Sequence, residues 1–179
     1  SLGTNMVKNL KSFLNDSEVT VKGKFSDFGS VVDHIGVENT DAWALMLCNL
    51  VYTSEFNWWV KNIDFSVAYT PDSIYAMLDD TMSKNSRSHI VSAYKNILIS
   101  NPYFGNEIGL GACDYELKGG KRMWNSVVRL AWRTPNPLVV LYCLYKFAEA
   151  CGDYYQFTLS RLLNHDIESD GISPTEIFG

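Results

Sequence analysis

Apolar and polar positions alternate along this chain with two periods, and the switches between them predict its elements. Residues 6 to 14, MVKNLKSFL, bring Met6, Leu10, Phe13 and Leu14 to one side of a short helix. VTVKGKF, residues 19 to 25, alternates at the strand period, and FGSVVDHIG returns to the helical one and ends at Gly36. Thr40 and Asp41 offer an N-cap to AWALMLCNLVYTS, whose apolar residues go nearly all round, as in a helix at the centre of a core. EFNWWVKNID continues that helix or begins another. Neighbours in sequence cannot share one helix face, so one of Trp58 and Trp59 is expected in the core and the other against a neighbour or solvent.

VAYTPDSIYAMLDD starts extended and turns helical, with Thr70 as N-cap, Pro71 at the first helical position and Asp72 in the first turn. Ile74, Met77 and Leu78 form its buried stripe. After the polar break MSKNS a longer helix is predicted, roughly Ser86 to Ser100. Its apolar face carries Ile90, Ala93, Tyr94, Ile97 and Leu98, and its polar face Arg87, Ser88, Ser92, Lys95 and Asn96. NPYFGNEIGLG is a turn-rich connector. CDYEL and RMWNSVVRLAW are strand-like, and KGGK between them supplies glycines for a tight hairpin turn.

Pro135 and Pro137 in TPNP cannot sit inside a regular helix and mark a boundary. LVVLYCLYKFAEACG then reads as a helix closed by Gly152, and FTLSRLLNHD as a short helix starting near Thr158. Ser173 caps a third, with Pro174 at its first position and Glu176 in its first turn. The order predicts a mostly α (α+β) fold of helix-turn-helix and winged-helix-like units with one β-hairpin. Residues 1–134 are expected to form a helical region holding a winged-helix-like unit over about 65–134, and 135–179 a second helix-turn-helix-like unit. The opening SLG reads as a cloning remnant and EIFG stops inside a helical signal. The chain is therefore expected to be a piece of a longer protein, truncated at its C-terminus, with its final turn frayed or held by a neighbouring molecule. Ile177 and Phe178 are expected to reach back toward LVVLYCLYKF.

Composition fits a folded chain: 46% of the 179 residues are hydrophobic and 20% charged, enough for one large core or two small ones. A net charge of −5 argues against a protein that coats nucleic acid without selectivity. The charge is unevenly placed, however. From Lys84 to Arg133 eight basic residues face only Glu107, Asp114 and Glu116, an island of +5 in a chain that otherwise carries −10. The winged-helix order gives that island a use, with the second helix as recognition helix and the KGGK tip as wing. Lys and Arg hold phosphates without needing particular bases. The candidate nucleic-acid contacts are Arg87, Ser88 and Lys95 on the helix and Lys118, Lys121 and Arg122 on the wing. A solvated face balanced by Asp79 and Asp80 accounts for the same charges equally well, and many winged-helix modules bind proteins instead of DNA, so both readings stand.

No chemistry competes with binding. The four cysteines have no CxxC spacing and lie far in sequence from His34, His89 and His165, so no zinc site is expected, and Cys48 and Cys143 read as small core residues. GxxxxGK[ST], GxSxG and HExxH are missing, and the glycines of GNEIGLGACD do not form GxGxxG between a strand and a helix. Asp166, Glu168 and Asp170 lack the spacing of a calcium loop. Trp58, Trp59, Trp124 and Trp132 are assigned to core packing ahead of base stacking. The expectation is a module that is no enzyme and holds no cofactor or metal. With no signal peptide and no apolar run of membrane length, the cytoplasm is the expected compartment.

TDAWALMLCNLVYTSEFNWWVKN, the TPDSIYAML helix and above all the terminal DGISPTEIFG together resemble an uncharacterised bacterial domain family. That family is encoded beside, or grouped with, phosphoadenosine-phosphosulfate-reductase-like proteins, in neighbourhoods that include DNA phosphorothioation and phage-defence-type loci. The resemblance runs through most of the chain, rests on structural motifs and supplies no catalytic residues. It implies an accessory module whose partner is DNA or a reductase-like sulfur-transfer enzyme. A reductase of that class needs an SGGKDS-like loop after a strand to hold phosphate on backbone N–H groups. KGGKR, 118 to 122, lacks the Ser and Asp and sits in a hairpin, so the catalytic domain of such an enzyme is not expected here.

Overall fold

The structure, a computed structural model, describes residues 4–152 and 170–179. Its first elements are α1 (Thr4–Asp16), β1 (Thr20–Val21), β2 (Lys24–Phe25), α2 (Asp27–Ile35), α3 (Thr40–Leu50) and α4 (Ser54–Asn62). They are followed by β3 (Ala68–Tyr69), α5 (Pro71–Met77), α6 (Lys84–Ser100), a π-helical turn (Tyr103–Glu107), β4 (Ala112–Lys118) and β5 (Lys121–Val128). The last are α7 (Pro137–Ala150) and α8 (Pro174–Phe178). The fold is mostly α, with two small antiparallel sheets, β1–β2 and β3–β5–β4. Among the described residues two compact units form. The first takes in residues up to Lys61 and from Thr134 to Ile177, and the second Asn62–Arg133 with Phe178 and Gly179.

In the first unit α3 lies at the centre, with Ala42, Ala44, Met46, Leu47, Cys48 and Leu50 all buried. Burial on so many sides leaves one polar side chain, Asn49, inside, and its amide is used at both ends. Asn49 Nδ2 donates to the Ser17 carbonyl at 3.0 Å, and Oδ1 accepts from the Tyr142 hydroxyl at 2.9 Å. The α7 helix packs along α3, and Asn136, its N-cap, also donates to Asp41 on α3 at 2.6 Å. Half-buried Lys146 bridges Glu18 and Glu149. The α4 helix resolves the tryptophan pair: Trp59 is 1% exposed and Trp58 half-buried.

Two expectations change. VTVKGKF is a miniature hairpin and no single strand, because Lys22 and Gly23 take positive φ (52° and 74°) and turn the chain back. The cap of α3 is Asn39, whose side chain accepts from Asp41 N at 2.9 Å, so Thr40 is already helical. The helix over FTLSRLLNHD lies outside the described residues, and so does the second helix-turn-helix unit that depended on it. Of the described part of 135–179, α7 packs with α3 in the first unit.

At the C-terminus Ser173 caps α8 as expected. Its hydroxyl accepts from Glu176 N at 3.3 Å and Glu176 Oε2 accepts from Ser173 N at 2.8 Å. The frayed end is not found. Ile177 and Phe178 are buried, and Phe178 belongs to the second unit, where its ring lies 5.3 Å from Trp132 and its carbonyl accepts from Trp132 N at 2.7 Å.

Candidate nucleic-acid interface

The second unit runs strand, helix, helix, hairpin, and β3 pairs with β5 instead of β4. The expected winged helix-turn-helix would have the same order. Its first helix, α5, starts on a full capping box, with Thr70 Oγ1 accepting from Ser73 N at 3.1 Å and Ser73 Oγ accepting from Thr70 N at 2.9 Å. The turn to α6 is held by Asp79, which accepts from Thr81 N at 2.8 Å. That bond and one from the Thr81 side chain, with nearby Arg87 a lesser contributor, hold the Asp79 carboxyl below the usual carboxylate range. Ser83 then caps α6, which therefore begins at Lys84, ahead of the predicted Ser86.

Tyr94 and Leu98 set the buried face of α6, and counting back by helical turns from them reaches Arg87. Arg87 accordingly turns inward. Its guanidinium lies 4.6 Å from the Tyr75 ring on α5, and its Nε is buried with no hydrogen-bond partner. The outward stripe consists of Asn85, Ser88, His89, Ser92 and Asn96, all exposed, with Lys95 half-buried beside it. Of the three helix residues expected to contact nucleic acid, Ser88 faces out fully, Lys95 in part, and Arg87 serves the packing of α5 on α6. Asn85 and His89 share this exposed stripe and lie outside the expected set. The signal that finds them is the helical period anchored on Tyr94 and Leu98, in place of the wider apolar face that also took in Ala93, which is exposed.

The hairpin brings its three expected residues together. Gly119 and Gly120 both take positive φ (57° and 76°), the geometry of a two-residue I′ turn, so Lys118 pairs with Lys121 and Leu117 with Arg122. Lys118, Lys121 and Arg122 are all exposed. Lys118 Nζ meets Glu116 at 2.7 Å, an exposed pair of little energetic weight, and the Arg122 guanidinium lies 5.5 Å from the Tyr115 ring. Toward the base a bulge leaves Asn125 extra between the Tyr115–Trp124 and Asp114–Ser126 pairs, and Trp124 is buried with Nε1 donating to the Ser126 carbonyl at 2.7 Å.

Arg129 leaves the basic island altogether. It is 1% exposed, donates from Nη1 to the Ile63 carbonyl at 2.9 Å and stacks 4.1 Å from the Phe65 ring. A buried guanidinium of this kind ties β5 to the start of the unit and offers nothing to a partner. Over the whole unit eight basic residues meet seven acidic ones, close to balance. Among the described residues no group of three or more His, Cys, Asp or Glu could hold a metal ion, and no helix is long and apolar enough to cross a membrane. The chain matches no protein-family model, no curated protein and no solved structure.

Proposed function

We propose that the second unit binds duplex DNA as a winged helix, and that the chain is a non-enzymatic accessory module of a cytoplasmic DNA modification or defence system served by a phosphoadenosine-phosphosulfate-reductase-like enzyme. The observation that carries the DNA reading is the hairpin: an exposed I′ tip on which Lys118, Lys121 and Arg122 stand within one turn of each other. The system is inferred from the resemblance of DGISPTEIFG and its companion segments. In this reading the wing supplies phosphate contacts, and the uncharged outward stripe of α6 supplies Asn and Ser side chains of the kind that read base edges.

Alanine at Lys118, Lys121 and Arg122 together tests it. Exposed charges add little to stability, so melting should hardly change. Affinity for an arbitrary duplex should fall, and the salt dependence should flatten by up to about three phosphate contacts, less the share of Lys118 already given to Glu116. Unchanged affinity and slope would remove the hairpin from DNA binding. The near balance of charge in the unit favours a second reading, a protein-interaction domain of a reductase-like protein. Its binding should respond only modestly to salt.

A further inference from the structure

One side chain at the hairpin tip has no part in phosphate contact. Leu117 is 70% exposed, more than any other large apolar residue of the second unit. Single exposed leucines are ordinary on protein surfaces. What distinguishes this one is its position. Its cross-strand partner Arg122 shares its face of the ribbon, while Lys118 and its partner Lys121 project from the other face, so cations stand on both faces of the tip that carries the leucine. Cross-strand partners share a face, which places Leu117 and Arg122 on the same side of the ribbon as Tyr115 and Trp124. That face is buried at its base by Trp124 and overhangs the core at its tip. Side chains built at Gly119 or Gly120 would meet nothing within 4 Å, so the end of the ribbon is slim and unobstructed.

We propose that the hairpin tip is a wedge for duplex DNA. Lys118, Lys121 and Arg122 hold phosphates bordering the minor groove, and Leu117 enters between two adjacent base pairs, unstacks that step and bends the duplex. The proposal rests on the DNA-binding reading above and adds to it the groove, the apolar contact and the deformation. Charge complementarity selects the occupant: a slim tip with cations on both faces and an apolar side chain on one matches the two phosphate walls of a groove with base faces between them. Unstacking costs a few kcal/mol, offset by burial of the leucine and by the extra backbone contacts that a bent duplex makes. Met123, 48% exposed, pairs with Glu116 on the opposite face, so it cannot share the step with Leu117.

The test uses the whole chain and a duplex of about two helical turns carrying a fluorophore at each end, with affinity read by anisotropy and bending by energy transfer. A second duplex carries one central mismatch, which is already easy to unstack. Wild type should bend the paired duplex and bind the mismatched one about tenfold more tightly, since the unstacking cost is reduced in advance. Leu117→Ala should bind the paired duplex within about threefold of wild type, because the cations remain, yet lose the bend and most of the mismatch preference. Leu117→Met, which keeps apolar reach, should restore both. Binding by wild type without bending, or bending by Leu117→Ala equal to wild type, overturns the wedge and leaves DNA binding in place. No binding of wild type to either duplex overturns both.

Discussion

Tyr142 holds its proton unusually tightly. Burial pushes its hydroxyl up to about 12, while an unfolded chain titrates it near the ordinary 10.0. The folded state therefore binds more protons than the unfolded state between those values. The resulting stability is complete below pH 10 and is lost as pH rises toward 12. Tyr142→Phe removes that titration. Its melting temperature should fall less steeply over the same window, while at neutral pH it should be about 1 kcal/mol less stable because Asn49 Oδ1 loses its donor. Melting followed by circular dichroism across the window checks both, and parallel slopes would mean that Tyr142 titrates alike in both states. Side-chain identity was legible in the sequence at this scale, but direction was not. Arg129 and Arg87 counted as surface charge because a formula sees only a guanidinium. Their burial depends on Phe65, Ile63 and Tyr75, residues that are neighbours only after folding.

The elements themselves were largely readable, since helices and the long hairpin announce themselves by period, caps and paired glycines. The tight approaches between elements were not. Gly109 reads as one more glycine of a turn-rich connector, yet it has φ +82° and its carbonyl accepts from Leu130 N–H at 2.8 Å. A Cβ there would overlap the Leu130 carbonyl. Gly109→Ala should thus cost about 3 kcal/mol, from the left-handed backbone and the clash together. Gly120→Ala, with the same sign of φ and no neighbour within 4 Å, should cost only about 1 kcal/mol. Urea unfolding of the two variants gives the contrast directly. Equal losses would mean that the contact with Leu130 carries no weight. The β1–β2 turn escaped notice for a related reason: Lys22 precedes Gly23 where Asn or a second glycine is the usual sign.

For the whole molecule the charge asymmetry was visible, but its boundaries were not. TPNP follows the continuous stretch of the second unit, Asn62–Arg133, and composition gave no hint that the segment beyond it would pack with α3. The order helix, helix, hairpin could be read from period, caps and paired glycines. The pairing of β3 with β5 could not, because β3 is only two residues long.

The division of the first unit across the chain also matters during synthesis. Asn62–Arg133 is continuous, so its sheet and helices can assemble once that stretch has left the ribosome. At that moment α3 is complete, but Tyr142 and Lys146, the partners of Asn49 and Glu18, are still inside the exit tunnel. A helix apolar on nearly all sides must then wait uncovered in the nascent chain, an opening for chaperones and for aggregation. Arrested nascent chains long enough to bring residue 133 but not α7 out of the ribosome should resist protease over 112–128 while α3 is still cut, and protection of α3 should appear only after α7 emerges. Simultaneous protection of both would mean that α3 finds its cover elsewhere.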